Sequence, residues 1–143
     1  MRPDDVPLLA LLRQEMNFSS DRQRVIANNV ANANTPGFTA QDLDRAEFER
    51  SVSEVMSQRR SANGMRLRTT RDNHIEGSPS AGGVARTWST QDTPDSETTI
   101  NGNSVVLEEQ MVKANETRMR YETALSLYQK SLGLIRTAIR PPS

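Results

Sequence analysis

Two stretches, one near each end of the chain, repeat their apolar residues at alternating steps of three and four, and nothing else limits the fold as strongly. In the first, Leu9, Leu12, Met16, Ser19, Gln23, Ile26, Val30 and Ala33 form a narrow stripe on a helix, apolar at both ends and polar at Ser19 and Gln23. Asp4 or Asp5 can cap its start, and Pro7 is tolerated in the first turn. A helix from Asp5 to Ala33 would be about 43 Å long at about 1.5 Å per residue. In the second, Leu107, Met111, Ala114, Tyr121, Leu125, Tyr128, Leu132, Ile135 and Ile139 keep the same alternation, broken only by Arg118. Ser104, after the turn residues "NGN", is placed to cap that helix, and the prolines of "RPPS" stop it. Gly133 costs about 1 kcal/mol inside a helix, or marks a place where another backbone comes close. Helices with so narrow a stripe are marginal alone and need partners.

Between them the chain changes character. Asp44 and Glu47 read as a capping box, and Phe48, Val52, Val55 and Met56 make a short apolar stripe that predicts a helix ending near Arg60. Residues 61–103 carry twelve Ser or Thr, five Gly and two Pro, with Met65, Leu67, Ile75, Val84, Trp88 and Ile100 as the only large apolar residues. That is too little for a core of its own, so an irregular, partly extended loop is expected. The organisation is therefore an N-terminal helix and turn over 1–38, a short helix over 39–60, a loop over 61–103 and a C-terminal helix over 104–143. The fold class is all-α: the long helices pack antiparallel as a coiled-coil-like hairpin, and one core unit is built from both termini. A pair leaves much of each stripe uncovered, which calls for further helices from other copies or other proteins.

Composition narrows the function. The 18 basic and 18 acidic residues cancel, so no strong field draws the chain to nucleic acid or to an acidic membrane. With no cysteine there is no disulfide, thiol nucleophile or thiolate metal site. The apolar run near the N-terminus is short and followed by polar residues, unlike a secretory signal, and no run reaches transmembrane length.

The segment "VIANNVANANTPGF" needs more explanation. Ile26 and Val30 stay on the stripe, while Asn28, Asn29 and Asn32 share a flank of the helix at spacings of three and four. Asn34 falls where the helix must end, and asparagine accepts the left-handed conformation found there. Thr35, Pro36, Gly37 and Phe38 suit a type II turn, with Phe38 emerging as an apolar anchor. A cap and a turn account for Asn34 to Phe38. They do not account for Asn28, Asn29 and Asn32, which sacrifice helix propensity and should bond to something in return.

Other candidates are weaker. His74, with Asp72 nearby, is a lone loop histidine, and no glycine-rich phosphate loop or HExxH motif accompanies it. Arg66, Arg68 and Arg71 have no interleaved aromatics and read as a solvated face. The glycosylation patterns at Asn17 and Asn115 lie in predicted helices and are read as chance. No catalytic residue, cofactor, metal or small-molecule substrate is expected.

At this point the residues resemble a known family. "SSDRQRVIANNVANANTPGFTAQD", from Ser19 to Asp42, is similar to the N-terminal signature of bacterial flagellar basal-body rod and hook proteins. "INGNSVVLEEQM" before the last helix, "LRTTRDNHI" at Leu67 to Ile75 and the lack of a large inserted β-domain point towards its proximal rod members. The chain departs from the family pattern at Ser104, usually Asn, at Val106, usually Asp, and at Phe38, where Tyr is common. Losing the carboxylate at Val106 weakens the expected helix start.

The resemblance implies a non-enzymatic subunit that polymerises helically into a hollow tube within the periplasm. It implies export through the flagellar type III channel without a cleaved signal, and termini that fold on assembly. The implied partners are copies of itself, other proximal rod proteins, the rod–MS-ring adaptor and the export gate. The expected subunit contacts are Ile26, Asn28, Asn29, Val30, Asn32, Asn34, Thr35, Pro36, Gly37 and Phe38, with Met111, Tyr121, Leu125, Tyr128, Leu132 and Ile135 on the C-terminal stripe. Two rivals remain open to the sequence: a soluble coiled-coil adaptor that dimerises outside the flagellum, and an enzyme built on His74.

Overall fold

The computed structural model describes residues 6–62 and 88–139. The expectations placed on His74, the arginine cluster, Leu67 to Ile75 and the Asp4 or Asp5 cap lie outside them. Helix α1 spans Pro7–Ala31, strand β1 Gln41–Leu43, helix α2 Arg45–Ala62, strand β2 Thr90–Asp92 and helix α3 Leu107–Ile139. The chain divides into two compact units, one of Met1–Asp44 with Ser89–Ser143 and the other of Arg45–Trp88. The fold is all-α apart from a small sheet.

In the first unit α1 and α3 pack against each other and run antiparallel. Arg22 approaches Glu116, Gln23 donates to the Ala114 carbonyl, and Asn29 donates to Gln110, so partners descend α3 as one ascends α1. The paired-helix expectation holds. At about 1.5 Å per residue α3 is roughly 50 Å long and α1 roughly 37 Å. No described helix is long and apolar enough to cross a membrane.

The buried face of α1 largely follows the expected stripe, and that of α3 differs from it by one step. On α1, Leu9, Leu12, Ser19 and Ile26 are buried as predicted, but Phe18 and Asn29 join them and Val30 is exposed. On α3 the buried residues are Gln110, Thr117 and Ala124. Each immediately precedes a predicted stripe position: Met111, Arg118 and Leu125. Small or slender side chains let the two backbones close, and the large apolar residues are turned to the flank. Both stripes were therefore legible as helical, and the face used within the chain was largely legible on α1 but not on α3.

The helix ends also needed correction. Helix α1 stops at Ala31 with Asn32 as its C-cap, at φ −101° and ψ 11°. No non-glycine residue among those described has positive φ, so Asn34 does not adopt the left-handed conformation expected of it. The turn does form: the Phe38 amide donates to the Thr35 carbonyl at 3.3 Å, and Gly37 has φ 71°. At the other end Ser104 is not a cap, since α3 begins at Leu107 and the buried Ser104 Oγ instead accepts from the Ala40 amide at 3.1 Å.

Strands β1 and β2 pair antiparallel, Gln41 opposite Asp92, Asp42 opposite Gln91 and Leu43 opposite Thr90. Sequence did not announce them: three residues each is too short for an alternating pattern. Gly133 lies within α3, and apart from its own turns of helix nothing among the described residues comes within 4 Å of where its Cβ would sit. Asp44, the last residue of the first unit before α2, immediately precedes that helix, and Glu47 lies in its first turn, as a capping box would place them. Phe48 packs edge-on with Trp88, ring centroids 5.7 Å apart.

Candidate assembly interface

Where α1 ends, β1 begins and α3 starts, polar side chains form a joint. Asn29, fully buried, holds β1 as a neighbouring strand would: its Nδ2 donates to the Gln41 carbonyl at 2.7 Å and its Oδ1 accepts from the Gln41 amide at 3.0 Å. The same Nδ2 donates to Gln110 Oε1 at 3.0 Å. One amide thus ties α1, β1 and α3 together. The purpose of Asn29 lies within the chain, a use that spacing alone did not distinguish from contact with a neighbour.

A second amide ties the turn after α1 to the segment that leads into α3. Asn103 Nδ2 donates to the carbonyls of Asn32, at 2.9 Å, and Thr35, at 2.7 Å, just beyond the end of α1, each of which also accepts a backbone amide of the turn. Asn32 in turn donates to the Asn28 carbonyl at 2.9 Å, and Thr35 Oγ1 to Asn32 Oδ1 at 3.2 Å. Gly37 donates to the Asn101 carbonyl at 3.0 Å, and Gly102, at φ 80°, would place a Cβ 3.4 Å from Gly37 Cα. "NGNS" is therefore the counterpart that receives the asparagine-rich turn, rather than a free turn before a helix.

The third component was missed by sequence reasoning. Asp95, its side chain fully buried, accepts from the Val106 amide at 2.9 Å, Gln110 Nε2 at 2.8 Å and Lys113 Nζ at 2.6 Å. It supplies from a distant loop the carboxylate that Val106 lacks at the start of α3, where the helix dipole favours negative charge. Burial pushes the Asp95 carboxyl up. The bonds from Lys113, Gln110 and the Val106 amide, with the lysine charge, outweigh that and hold it below the usual carboxylate range. Capping patterns read from local spacing do not find such a residue, because the nearest partner of its carboxylate is eleven positions away.

Arg22, also missed, clamps Asp42 with two bonds of 2.7 and 2.6 Å and lies 4.0 Å from Glu116. The hydrogen bond to Asp42 raises the guanidinium pKa, against the cost of burial, so the charge is permanent.

Arg22 and Asn29 place β1 on one flank of the helix pair. Asn29 and Gln110 face each other, so Val30 and Met111, each one step further round its helix, turn to the opposite flank. Both are exposed, as are Leu107 and Tyr121, while Leu125, Tyr128, Leu132 and Ile135 are half-buried. Of the residues expected to make subunit contacts, Ile26 is buried and Phe38 half-buried, whereas Asn34, Thr35, Pro36 and Gly37 stand at the surface.

Comparison with known proteins places this arrangement. The family described as "Flagella basal body rod protein" matches residues 16–39, the second half of α1 through the turn. A protein of Cereibacter sphaeroides named flagellar basal body rod protein FlgB is 31% identical over 134 residues, covering 92% of this chain and 93% of its own length. The chain belongs to the flagellar basal body rod protein family. Relatives of the same name in Yersinia enterocolitica, 30% identical over 83% of both chains, and in Salmonella typhimurium, 27% identical over 87% of this chain and 86% of its own, agree. The role of this rod-family chain is that of a structural subunit of the basal body, which decides against the soluble adaptor.

Proposed function

We propose that this rod-family subunit sits in the proximal rod and assembles helically, with copies of itself and other proximal rod proteins, into a hollow tube within the periplasm. Its work is mechanical and not enzymatic. The rod–MS-ring adaptor and the export gate are its further partners, and it reaches the rod through the flagellar export channel without a cleaved signal. The observation that carries the reading is the division of labour on α3. Gln110, Thr117 and Ala124 serve the contact within the chain, and Met111 and Tyr121 are left exposed. An apolar flank of this kind marks an interaction surface.

On this reading the rod-core unit, built from both ends of the chain, presents Val30, Met111, Tyr121 and Leu125 to neighbouring helices. Asn28, Asn34 and the Thr35 to Gly37 turn contact neighbours at the joint. An in-frame deletion should abolish swimming, rod formation and export of hook protein, and plasmid-borne wild type should restore all three. Normal basal bodies in the deletion strain would overturn the proposal.

A further inference from the structure

The surface of α3 turned away from α1 carries a second apolar pattern that neither the chain nor the exposed flank uses. Val112 and Met119, 68% and 66% exposed, are seven residues apart, and so are Leu127 and Leu134, 47% and 73% exposed. One pair becomes the other by a shift of fifteen residues along the helix. That shift is about 22 Å of rise with a net turn of about 60°.

The charges follow the same offset. Glu108, Glu109, Glu116 and Glu122 all lie in the first half of α3, and beyond Glu122 the helix carries only Lys130 and Arg136. Under the fifteen-residue shift Lys130 comes level with Asn115, one residue from the half-exposed Glu116, which also accepts from Arg120 of its own chain at 2.7 Å. The exposed Lys130 has no bonding partner among the described residues. Lys113, Arg118 and Arg120 offset three of those four glutamates, so the first half carries a net charge of −1 and the second +2, and only the offset sets unlike halves together.

We infer that α3 of one copy docks on α3 of a second copy, parallel and advanced by fifteen residues. Val112 and Met119 of one then meet Leu127 and Leu134 of the other, and Glu116 meets Lys130. The inference rests on the rod-subunit reading and names the contact. The two pairs lie about 60° apart around the axis, so one antiparallel partner cannot face both squarely, whereas a parallel, advanced partner faces each in turn. Because the two surfaces differ, the contact is head-to-tail and stays open to further copies, as a filament requires and a closed dimer does not.

The chain has no cysteine, so introduced thiols report proximity without background. Basal bodies would be isolated from cells co-expressing the full-length Met119→Cys and Leu134→Cys variants, then oxidised. A 119–134 disulfide dimer is expected, and likewise 112–127 from Val112→Cys with Leu127→Cys. The combinations 112–134 and 119–127, which an antiparallel pair would favour, should remain monomeric. Lys130→Glu should lower the 119–134 yield several-fold, and Lys130→Arg should preserve it. Basal bodies that contain the chain but give no 119–134 product, or that cross-link 112–134 instead, would overturn the docking while leaving the rod role intact. Absence of the chain from basal bodies would overturn both.

Discussion

Asn28 and Asn29 are adjacent, identical in chemistry and opposite in consequence. Asn28 is exposed and its Oδ1 accepts only a local bond from Asn32, at 3.2 Å. Asn29 is buried and holds both polar groups of Gln41 and the Gln110 side chain. Asn29→Ala should therefore strand several buried groups and cost about 3 kcal/mol, since each unpaired group costs about 1–3 kcal/mol. Asn28→Ala should change stability by less than about 0.5 kcal/mol, the usual range for a surface position. Thermal unfolding followed by circular dichroism compares them, and equal losses would contradict the assignment. The sequence showed that these amides needed partners. It could not show which flank of α1 the chain itself would cover, because that depends on where β1 returns, and three-residue strands leave no periodic trace. Asn34 illustrates the complementary error: asparagine permits a left-handed cap, but the helix had already ended three residues earlier, at Ala31.

At the scale of elements, the start of α3 depends on a residue outside it. Leu107 to Ile139 was legible as a helix from its apolar spacing, yet Asp95 supplies its N-terminal carboxylate and Ser104 serves Ala40 instead. A cap supplied from a remote loop leaves no local pattern, which is why the helix start was misread. The Asp95 carboxyl is held below its usual range, so the folded chain binds fewer protons there than the unfolded chain. Its contribution is therefore complete above the unfolded value of about 4 and is lost as pH falls through the lower folded value. Asp95→Asn removes the charge that Lys113 meets at 2.6 Å. At neutral pH it should cost roughly 2 kcal/mol, as for a hydrogen bond to a charged group. The gap between wild type and variant should hold from pH 7 down to about 5 and then close on further acidification. A gap independent of pH, read from melting curves across that range, would mean that the carboxylate acts through shape and not charge.

For the whole molecule, the two faces of α3 separate folding from assembly. Thr117 is buried against α1, and a larger side chain there forces the pair apart. Thr117→Leu should destabilise the chain by about 1–3 kcal/mol through overpacking. Met111 and Tyr121 stand exposed on α3, where a carboxylate would be solvated in the isolated subunit. Met111→Asp combined with Tyr121→Asp should therefore leave helicity unchanged and melting close to wild type, within about 0.5 kcal/mol per site. In the rod the same carboxylates would be buried without partners, at a cost of several kcal/mol per contact repeated in every subunit. Cells expressing the double variant should accumulate folded subunit, lack rods and fail to swim, whereas the Thr117→Leu chain should fail earlier, by losing the subunit itself. Immunoblots, melting curves and images of basal bodies from both strains separate the two outcomes. Wild-type rods in the Met111→Asp, Tyr121→Asp strain would show that these positions face solvent in the assembly, and the contacts between copies would then have to lie elsewhere on α3.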